Sequence, residues 1–470
     1  MTNRFIKSIT IPVAALTLLA GGVGCNKLED FGKTNVNPAA TTTPITSALL
    51  TNALSTIGNL ASDTRAGIFV QYFAEPDYPN ISLYTVTKQE FGSYSGALYD
   101  LQNIINISTN NAEKAAARIT KAYIFWTITD RWGDIPYFGA LKGVAAPYDK
   151  QEDIYKDLLK ELTEANAQLD QGGFIAGDIH YGNDIAKWKK LSNSLRMLMA
   201  LRLSKRYPAT ADYAATQFRA GLAGSGGSIE TNADNFSVKY PGGAFRNPFF
   251  VTHLAARDYG ESQQMVSLLA SLGDTRQNAY GTSTTGVPYG LKEVDINAWR
   301  AANPNWSRHF SDAVRGETSP IVVVGASAVL LARAEAADRG WTTENATTVY
   351  NAGITQSFAQ WGVTLPATYL TQASVALTAP TGTAANIQKI ATQRYLAYYG
   401  DGIQGWSVWR KTGFPVLVKT PNPVSSAHVE IPRRYVYGES EFTLNSAGVN
   451  AAVARLSAGD TYESRIWWDQ

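Results

Sequence analysis

A mainly α fold is what this sequence predicts, and three observations carry that expectation. Apolar residues recur at steps of three and four through several long segments. Short breaks separate those segments, as between antiparallel helices, and strong β-hairpin signals are few.

Taken in order, helices are expected near Ser47 to Leu60 and Ala97 to Ile107, then roughly from Ala112 to Arg131, where Ile119, Tyr123 and Trp126 share a face. The segment EDIYKDLLKELTEANAQLD sets Ile154, Leu158, Leu162, Ala165 and Leu169 in one stripe. Asp149 and Glu152, three residues apart, are placed to cap its start. DIAKWKKLSNSLRMLMALRLSKRY repeats the pattern through Trp188, Leu191, Leu195, Leu198 and Leu201 or Arg202, and stops before Pro208. Further helices are expected near Val323 to Asp338, Thr347 to Gln360 and Ile387 to Tyr399. Trp406 and Trp409, at helical spacing, and Trp467 with Trp468 read as core or interface. Between residues 97 and 206 the short breaks suggest stacked helix pairs of the tetratricopeptide-like kind, without the repeat's consensus. Residues 221–320, dense in Gly, Pro, Asn and aromatics, read instead as long irregular stretches. They are too aromatic for disorder and are the best candidate binding surface.

Composition sets the class. A chain of 470 residues can bury a large core, and 45% hydrophobic with 17% charged residues is ordinary for a globular protein. With 24 Tyr and 11 Trp it has aromatic surface to spare. At the N-terminus Arg4 and Lys7 precede the apolar run from Ile9 to Gly24, which is too short to span a bilayer and reads as a secretory signal. The single cysteine, Cys25, follows directly and resembles the lipidated cysteine of bacterial lipoproteins, although Gly22 stands where their usual box has Leu. Residues 1–24 hold Arg4 and Lys7 and no acid, so the 41 basic and 39 acidic residues become 39 of each after cleavage. A neutral chain is not built for electrostatic capture of nucleic acid, and attachment to a membrane would come from the lipid. Residues 25–44 are polar with two prolines and suit a tether; residues 45–470 form the expected binding domain.

Catalytic and metal motifs are looked for and not found. His180, His253, His309 and His428 are scattered, with neither an H-E-x-x-H motif nor a Cys/His cluster. GASAV, Gly325 to Val329, begins like a nucleophile elbow but lacks the second glycine, and its surroundings read as helix. AGSGGS lacks the last glycine of a dinucleotide loop and the Lys-Ser/Thr of a phosphate loop. No cofactor is expected, and a structural calcium held by loop carbonyls and carboxylates would leave no motif. The stretch TDRWGDIPYF places Asp130 and Asp134 four apart beside Trp132, which on one continuous helix would be a carboxylate pair next to a sugar-stacking ring. Pro136 and Gly133 argue against that helix: Pro136 pushes Ile135 toward extended backbone, and Gly133 suits the position just past a helix end. The helix is expected to stop at Arg131 or Trp132, with Asp134 beyond it.

Five segments in order, KAYIFWTITDRWGDIPYF, KWKKLSNSLRMLMALRLS, ASAVLLARAEAADRGW, YLAYYGDGIQGWSVWRKTGFP and IPRRYVYGESEFTLN, resemble the SusD/RagB-like outer-membrane lipoproteins of Bacteroidota. The resemblance spans nearly the whole chain after Cys25, and Lys27, Glu29 and Asp30 look like a late, sparse version of that family's surface-export signal. It implies a non-enzymatic binding lipoprotein that lies as a lid on a SusC-like TonB-dependent barrel and captures oligosaccharides or, in some members, peptides. It also implies tetratricopeptide-like helix pairs facing the barrel, variable loops that carry the ligand, and a scaffold role for DRWGDIPY.

Because those loops vary, candidate ligand residues come from chemistry. Sugar rings present C–H faces to aromatic planes and hydroxyls to Asn, Asp or Arg. AEPDYPNISLYTVTKQEFGSY offers Tyr78, Asn80 and Tyr84, and YGLKEVDINAWRAANPNWSRHF offers Tyr289, Trp299, Arg300 and Trp306. For each ring alone, packing of its own loop is the competing explanation. Peptide capture, a purely structural role in the transporter complex, and a surface glycosidase using Asp130 and Asp134 are the alternative readings.

Overall fold

The computed structural model describes residues 44–143, 145–254 and 258–470. Cys25, the expected signal segment and all of the expected tether before Pro44 lie outside the described residues.

The apolar stripes become helices close to where the sequence places them. The N-terminal half runs α1 (Thr46–Leu60), α2 (Thr64–Phe69), α3 (Ala97–Ile107), α4 (Asn111–Trp132), α5 (Gln151–Leu169), α6 (Ile185–Arg202) and α7 (Tyr213–Leu222). The central region adds α8 (Pro248–Leu254), α9 (Gln263–Leu272), α10 (Gln277–Tyr280) and α11 (Glu293–Ala302). The rest comprises α12 (Ala326–Asp338), α13 (Ala346–Gln360), α14 (Ala384–Ala397), α15 (Gly402–Thr412), α16 (Glu439–Leu444) and α17 (Ser446–Val453). Among the described residues six short strands make three antiparallel pairs: β1 (Phe73–Ala74) with β5 (Gly260–Glu261), β2 (Ile135–Pro136) with β3 (Tyr148–Asp149), and β4 (Phe236–Val238) with β6 (Ile321–Val324).

Successive helices pack on one another from α3 to α7 and again from α12 to α15, the expected tetratricopeptide-like pairing. Side chains give the direction: Arg118 near the start of α4 pairs with Glu161 late in α5, while Trp126 Nε1 donates to the Tyr155 hydroxyl early in α5 at 2.8 Å. These two helices are therefore antiparallel. In the next pair Ser192 Oγ donates to the Leu162 carbonyl at 2.7 Å, and Asn166 Nδ2 to that of Lys189 at 3.1 Å, so α5 and α6 are antiparallel too. Trp126, Trp132, Trp188, Trp341, Trp406 and Trp468 are fully buried, each worth about 3–5 kcal/mol against truncation to Ala.

Four expectations need correction. The helix expected from Val323 starts at Ala326, because the β-branched run Ile321 to Val324 prefers extended backbone and pairs with β4. GASAV thus does join a strand to a helix, but Ser327 lies inside the first turn of α12 and is not among the residues at positive φ, so the strained turn of a nucleophile elbow is missing. Residues 221–320 keep long irregular runs, such as 281–292 and 303–320, but these are interrupted by helices α8 to α11 and two short strands, which the sequence did not suggest. Asp149 does not cap α5: its carboxylate accepts the backbone N–H groups of Tyr137 at 2.9 Å and Phe138 at 2.8 Å, holding the turn after β2. The first N–H of α5, that of Gln151, goes to Asp134 at 2.8 Å.

Candidate functional site

The aspartate pair of TDRWGDIPYF proves to be structural. Helix α4 ends at Trp132, Gly133 follows at φ 93°, and the Gly133 N–H closes the helix on the Thr129 carbonyl at 2.8 Å. Asp130, inside the helix, is completely buried. Its carboxylate pairs with Arg202 at 2.9 Å and accepts the Trp468 indole N–H at 2.8 Å and the Tyr155 hydroxyl. Asp134, past the helix end, holds the α5 start and pairs with Arg455. A carboxylate with no exposed surface and three partners has nothing to offer a glycosidic bond. Trp132, edge-on to Tyr435 at 5.2 Å and donating to the Val436 carbonyl, is equally out of reach.

Nor do the described histidines assemble a centre. Burial pushes the His180 imidazole down to about 4, and its Nε2 lies 3.1 Å from the Leu54 carbonyl. His428 faces Glu463 at 3.0 Å, and His309 packs on Phe73 with ring centres 4.5 Å apart. Among the described residues no group of three or more His, Cys, Asp and Glu is arranged to hold a metal ion.

The chemically chosen residues fall into two sets. Tyr84, Tyr289 and Trp306 are buried beneath the surface. Tyr84 and Tyr289 lie side by side, and burial raises the Tyr84 phenol to about 12. Trp306 sits against Gly260, with the Arg308 guanidinium 5.9 Å from its ring centre. The other four, Tyr78, Asn80, Trp299 and Arg300, reach the surface, Trp299 half-buried against the core.

The loop after β1 is organised by Glu75. This nearly buried carboxylate accepts the N–H groups of Asn80 and Ile81 at 3.2 Å, the N–H of Ser82 at 2.8 Å and the Ser82 hydroxyl at 2.7 Å. Burial pushes the Glu75 carboxyl up, and these hydrogen bonds pull it back. The four donors clamp a tight loop whose tip is Tyr78, 72% exposed and at φ 51°, a conformation costly for a residue with a side chain. Arg300 of α11 locks the same loop from outside, pairing with Asp77 and donating to the Pro76 carbonyl at 3.4 Å. Tyr78 is therefore a large aromatic presented to solvent on a braced backbone, without a core contact to satisfy.

A third segment completes the rim, and sequence reasoning missed it. Residues 416–424 cross the surface next to the other two. Gln71 bridges both backbone groups of Val418, Thr420 N–H donates to the Tyr84 hydroxyl at 3.2 Å, Asn422 Nδ2 to the Gly290 carbonyl at 3.0 Å, and Val424 N–H to the Leu83 carbonyl at 3.0 Å. Gly290 permits this approach: at φ 71°, a Cβ there would stand 2.3 Å from Thr420 Oγ1. Val294, Val416 and Val424, one on α11 and two on this segment, are more than half exposed. The only hint in the sequence was the apolar run Val416-Leu417-Val418 ahead of two prolines.

With this geometry in view, a family model described as "Starch-binding associating with outer membrane" matches residues 36–438. The chain belongs to the SusD-like family. Its members are binding proteins. Among solved structures, a chitin-binding SusD homolog from Flavobacterium johnsoniae is 25% identical with a TM-score of 0.80, over 90% of this chain and 98% of that one. A SusD homolog from Bacteroides uniformis is 26% identical, TM-score 0.81, over 90% and 99%. A further structure, a chitin-binding protein, is 26% identical, TM-score 0.78, over 91% and 100%. No curated protein matches the chain significantly. The SusD-like family associates with the outer membrane, and no helix among the described residues is long and apolar enough to cross a membrane.

Proposed function

We propose that this SusD-like protein is a non-catalytic surface lipoprotein that captures an oligosaccharide at the Tyr78 rim and passes it to a SusC-like TonB-dependent barrel. The observation that carries the reading is Tyr78, a solvent-facing ring on a loop clamped by Glu75 and Arg300. A braced aromatic plane receives the C–H face of a sugar with little ordering cost, and Asn80, with Trp299 and Arg300 on α11, lies on the loop segments that supply hydrogen bonds and a further apolar edge. Tyr84, Tyr289 and Trp306 act from below, shaping the rim without touching the ligand. The chitin-binding relatives make N-acetylhexosamine oligomers the first ligands to try. Attachment would be through a lipid on Cys25, after removal of residues 1–24, with residues 25–44 as tether and 45–470 as the binding domain.

Affinity electrophoresis of the mature chain against chitin, starch and other polysaccharides, with calorimetry on the matching oligomers, tests this. Retardation that is lost in Tyr78→Ala, without release of reducing ends, is expected. Heat with oligopeptides and none with glycans would assign the rim to peptides, and hydrolysis by the purified chain would overturn a purely binding role.

A further inference from the structure

Away from the rim the molecule contains a partly open cavity of about 210 Å³, between the start of α12, the end of α13 and the turn joining α14 to α15. Its walls are chiefly aromatic and aliphatic: Phe249, Phe310, Trp361 and Tyr399 with Ile321, Val323 and Ala328. Phe310 and Trp361 stack with ring centres 5.7 Å apart at 22°, and Phe249 meets Phe310 edge-on at 4.8 Å. Exposed Ala313 and Pro320 mark the way in from solvent.

Two further features set this cavity apart from ordinary packing space. Phe310 is held at φ 58°, an uncommon conformation for a bulky residue and one that clusters at ligand clamps. Facing Gly400 is shaped to accept it, since a Cβ there would come within 2.8 Å of the Phe310 ring. In addition, four lining residues carry buried polar atoms without a hydrogen-bond partner: the Gln360 side-chain carbonyl, the Trp361 indole N–H, the Tyr398 hydroxyl and one carboxyl oxygen of Asp401. The Gln360 oxygen sits at the wall itself, 2.9 Å from where a Cβ of the lining Gly325 would be. Buried polar atoms are normally satisfied, so an acceptor and a donor left open on consecutive residues beside an empty space need an explanation.

We propose that this cavity is a second ligand site, for a small neutral aromatic alcohol, separate in place and chemistry from the glycan rim. A hydroxyl supplies partners to two of these atoms, accepting from Trp361 and donating to Gln360, while the ring fills the aromatic walls. Size agrees: a cavity of roughly 150 Å³ with apolar walls takes up benzene, and the larger volume here leaves room for a hydroxylated substituent. A monosaccharide is the poorer fit, because most of its hydroxyls would face hydrocarbon. Charge points the same way. Of the ionisable lining side chains, Tyr398 and Tyr399 are pushed up by burial and stay neutral, and Asp401, pushed up to about 8 by burial, is uncharged at neutral pH, so neither a cation nor an anion is called for.

The test is calorimetry and tryptophan fluorescence on the whole mature chain with benzyl alcohol, benzene and N-acetylglucosamine as probes. Saturable binding of benzyl alcohol in roughly the millimolar range is expected, about tenfold tighter than benzene, with no binding of the sugar at this site. Gln360→Leu should remove the alcohol's advantage and leave benzene binding. Ala313→Trp, a substitution at an exposed residue that spares the core, should block both. The proposal is overturned by absence of saturable binding, by equal affinity for benzene and the alcohol in the unmodified chain, or by binding that survives Ala313→Trp.

Discussion

Arg202 and Asp130 form an ion pair of 2.9 Å with 3% and 0% of their side chains exposed, 72 residues apart in the chain. Around them Tyr155 and Trp468 donate to the same carboxylate, and Gln404 takes the other end of the guanidinium at 2.6 Å. Two indole rings, Trp126 and Trp468, lie 5.2 and 5.3 Å from the Arg202 guanidinium. The pair joins α4 to α6 and both to the segment at 468.

Asp130→Ala leaves the Arg202 charge buried without its counter-ion. The expected cost is about 3–5 kcal/mol in denaturant unfolding, with a lowered midpoint. Replacing Asp134, which is part-exposed, should cost about 1–2 kcal/mol through loss of the Gln151 cap. A loss of glycan binding in folded Asp134→Asn, with no loss of stability, would contradict the structural role given to this residue.

Tyr78→Ala should weaken glycan binding about tenfold or more, near 1.4 kcal/mol, while unfolding midpoints stay within error, because the ring contributes little to the core. Tyr84→Phe should leave affinity nearly unchanged. The contrast separates an exposed contact from a buried support, and calorimetry on both variants measures it.

Glu75→Gln keeps the shape of the side chain but removes the charge from four converging donors. We expect faster amide exchange across residues 75–84 and weaker binding, with about 1–3 kcal/mol lost from stability. Arg300→Met, freeing Asp77, should loosen the same loop from the other side at about 1 kcal/mol or less. Unchanged exchange in both variants would show that the loop is braced by something else.

The pH dependence follows from two buried carboxyls. Burial raises both Glu261 and Asp401 to about 8, so each stays protonated in the folded chain where the unfolded chain has already released the proton. Stability from these groups is complete below their ordinary carboxyl range and is lost as pH rises toward 8, by at most about 1.4 kcal/mol per pH unit for each. His180 acts oppositely, since burial depresses its imidazole to about 4: its contribution is complete above about 6.5 and is lost as pH falls toward 4. Denaturant titrations at pH 6.5, 7.2 and 8 should show stability falling, and Glu261→Gln should flatten that slope.

Helix positions were legible because their signals are local. The Leu158-Leu162-Ala165 stripe needs no knowledge of its partner, and Gly133 with Pro136 stops α4 whatever packs on it. The β-branched run at 321–324 carried a strand signal that the longer helical pattern masked. The rim was only half legible. Tyr78 and Tyr84 are the same residue type in the same loop, and only tertiary packing puts one in solvent and the other under Thr420. Segment 416–424 escaped notice because its place is set by a few hydrogen bonds to Gln71, Leu83 and Gly290, far away in sequence and without a periodic pattern.

The Asp130 hub also constrains the order in which the molecule can be made. Its partners come from residues 155, 202 and 468, the last of them 338 positions downstream. A growing chain that has produced α4, α5 and α6 holds the Asp130–Arg202 pair without the Trp468 indole, which can donate to that carboxylate only once the C-terminal segment has emerged. Such late closure keeps a partly made chain from reaching its final packing.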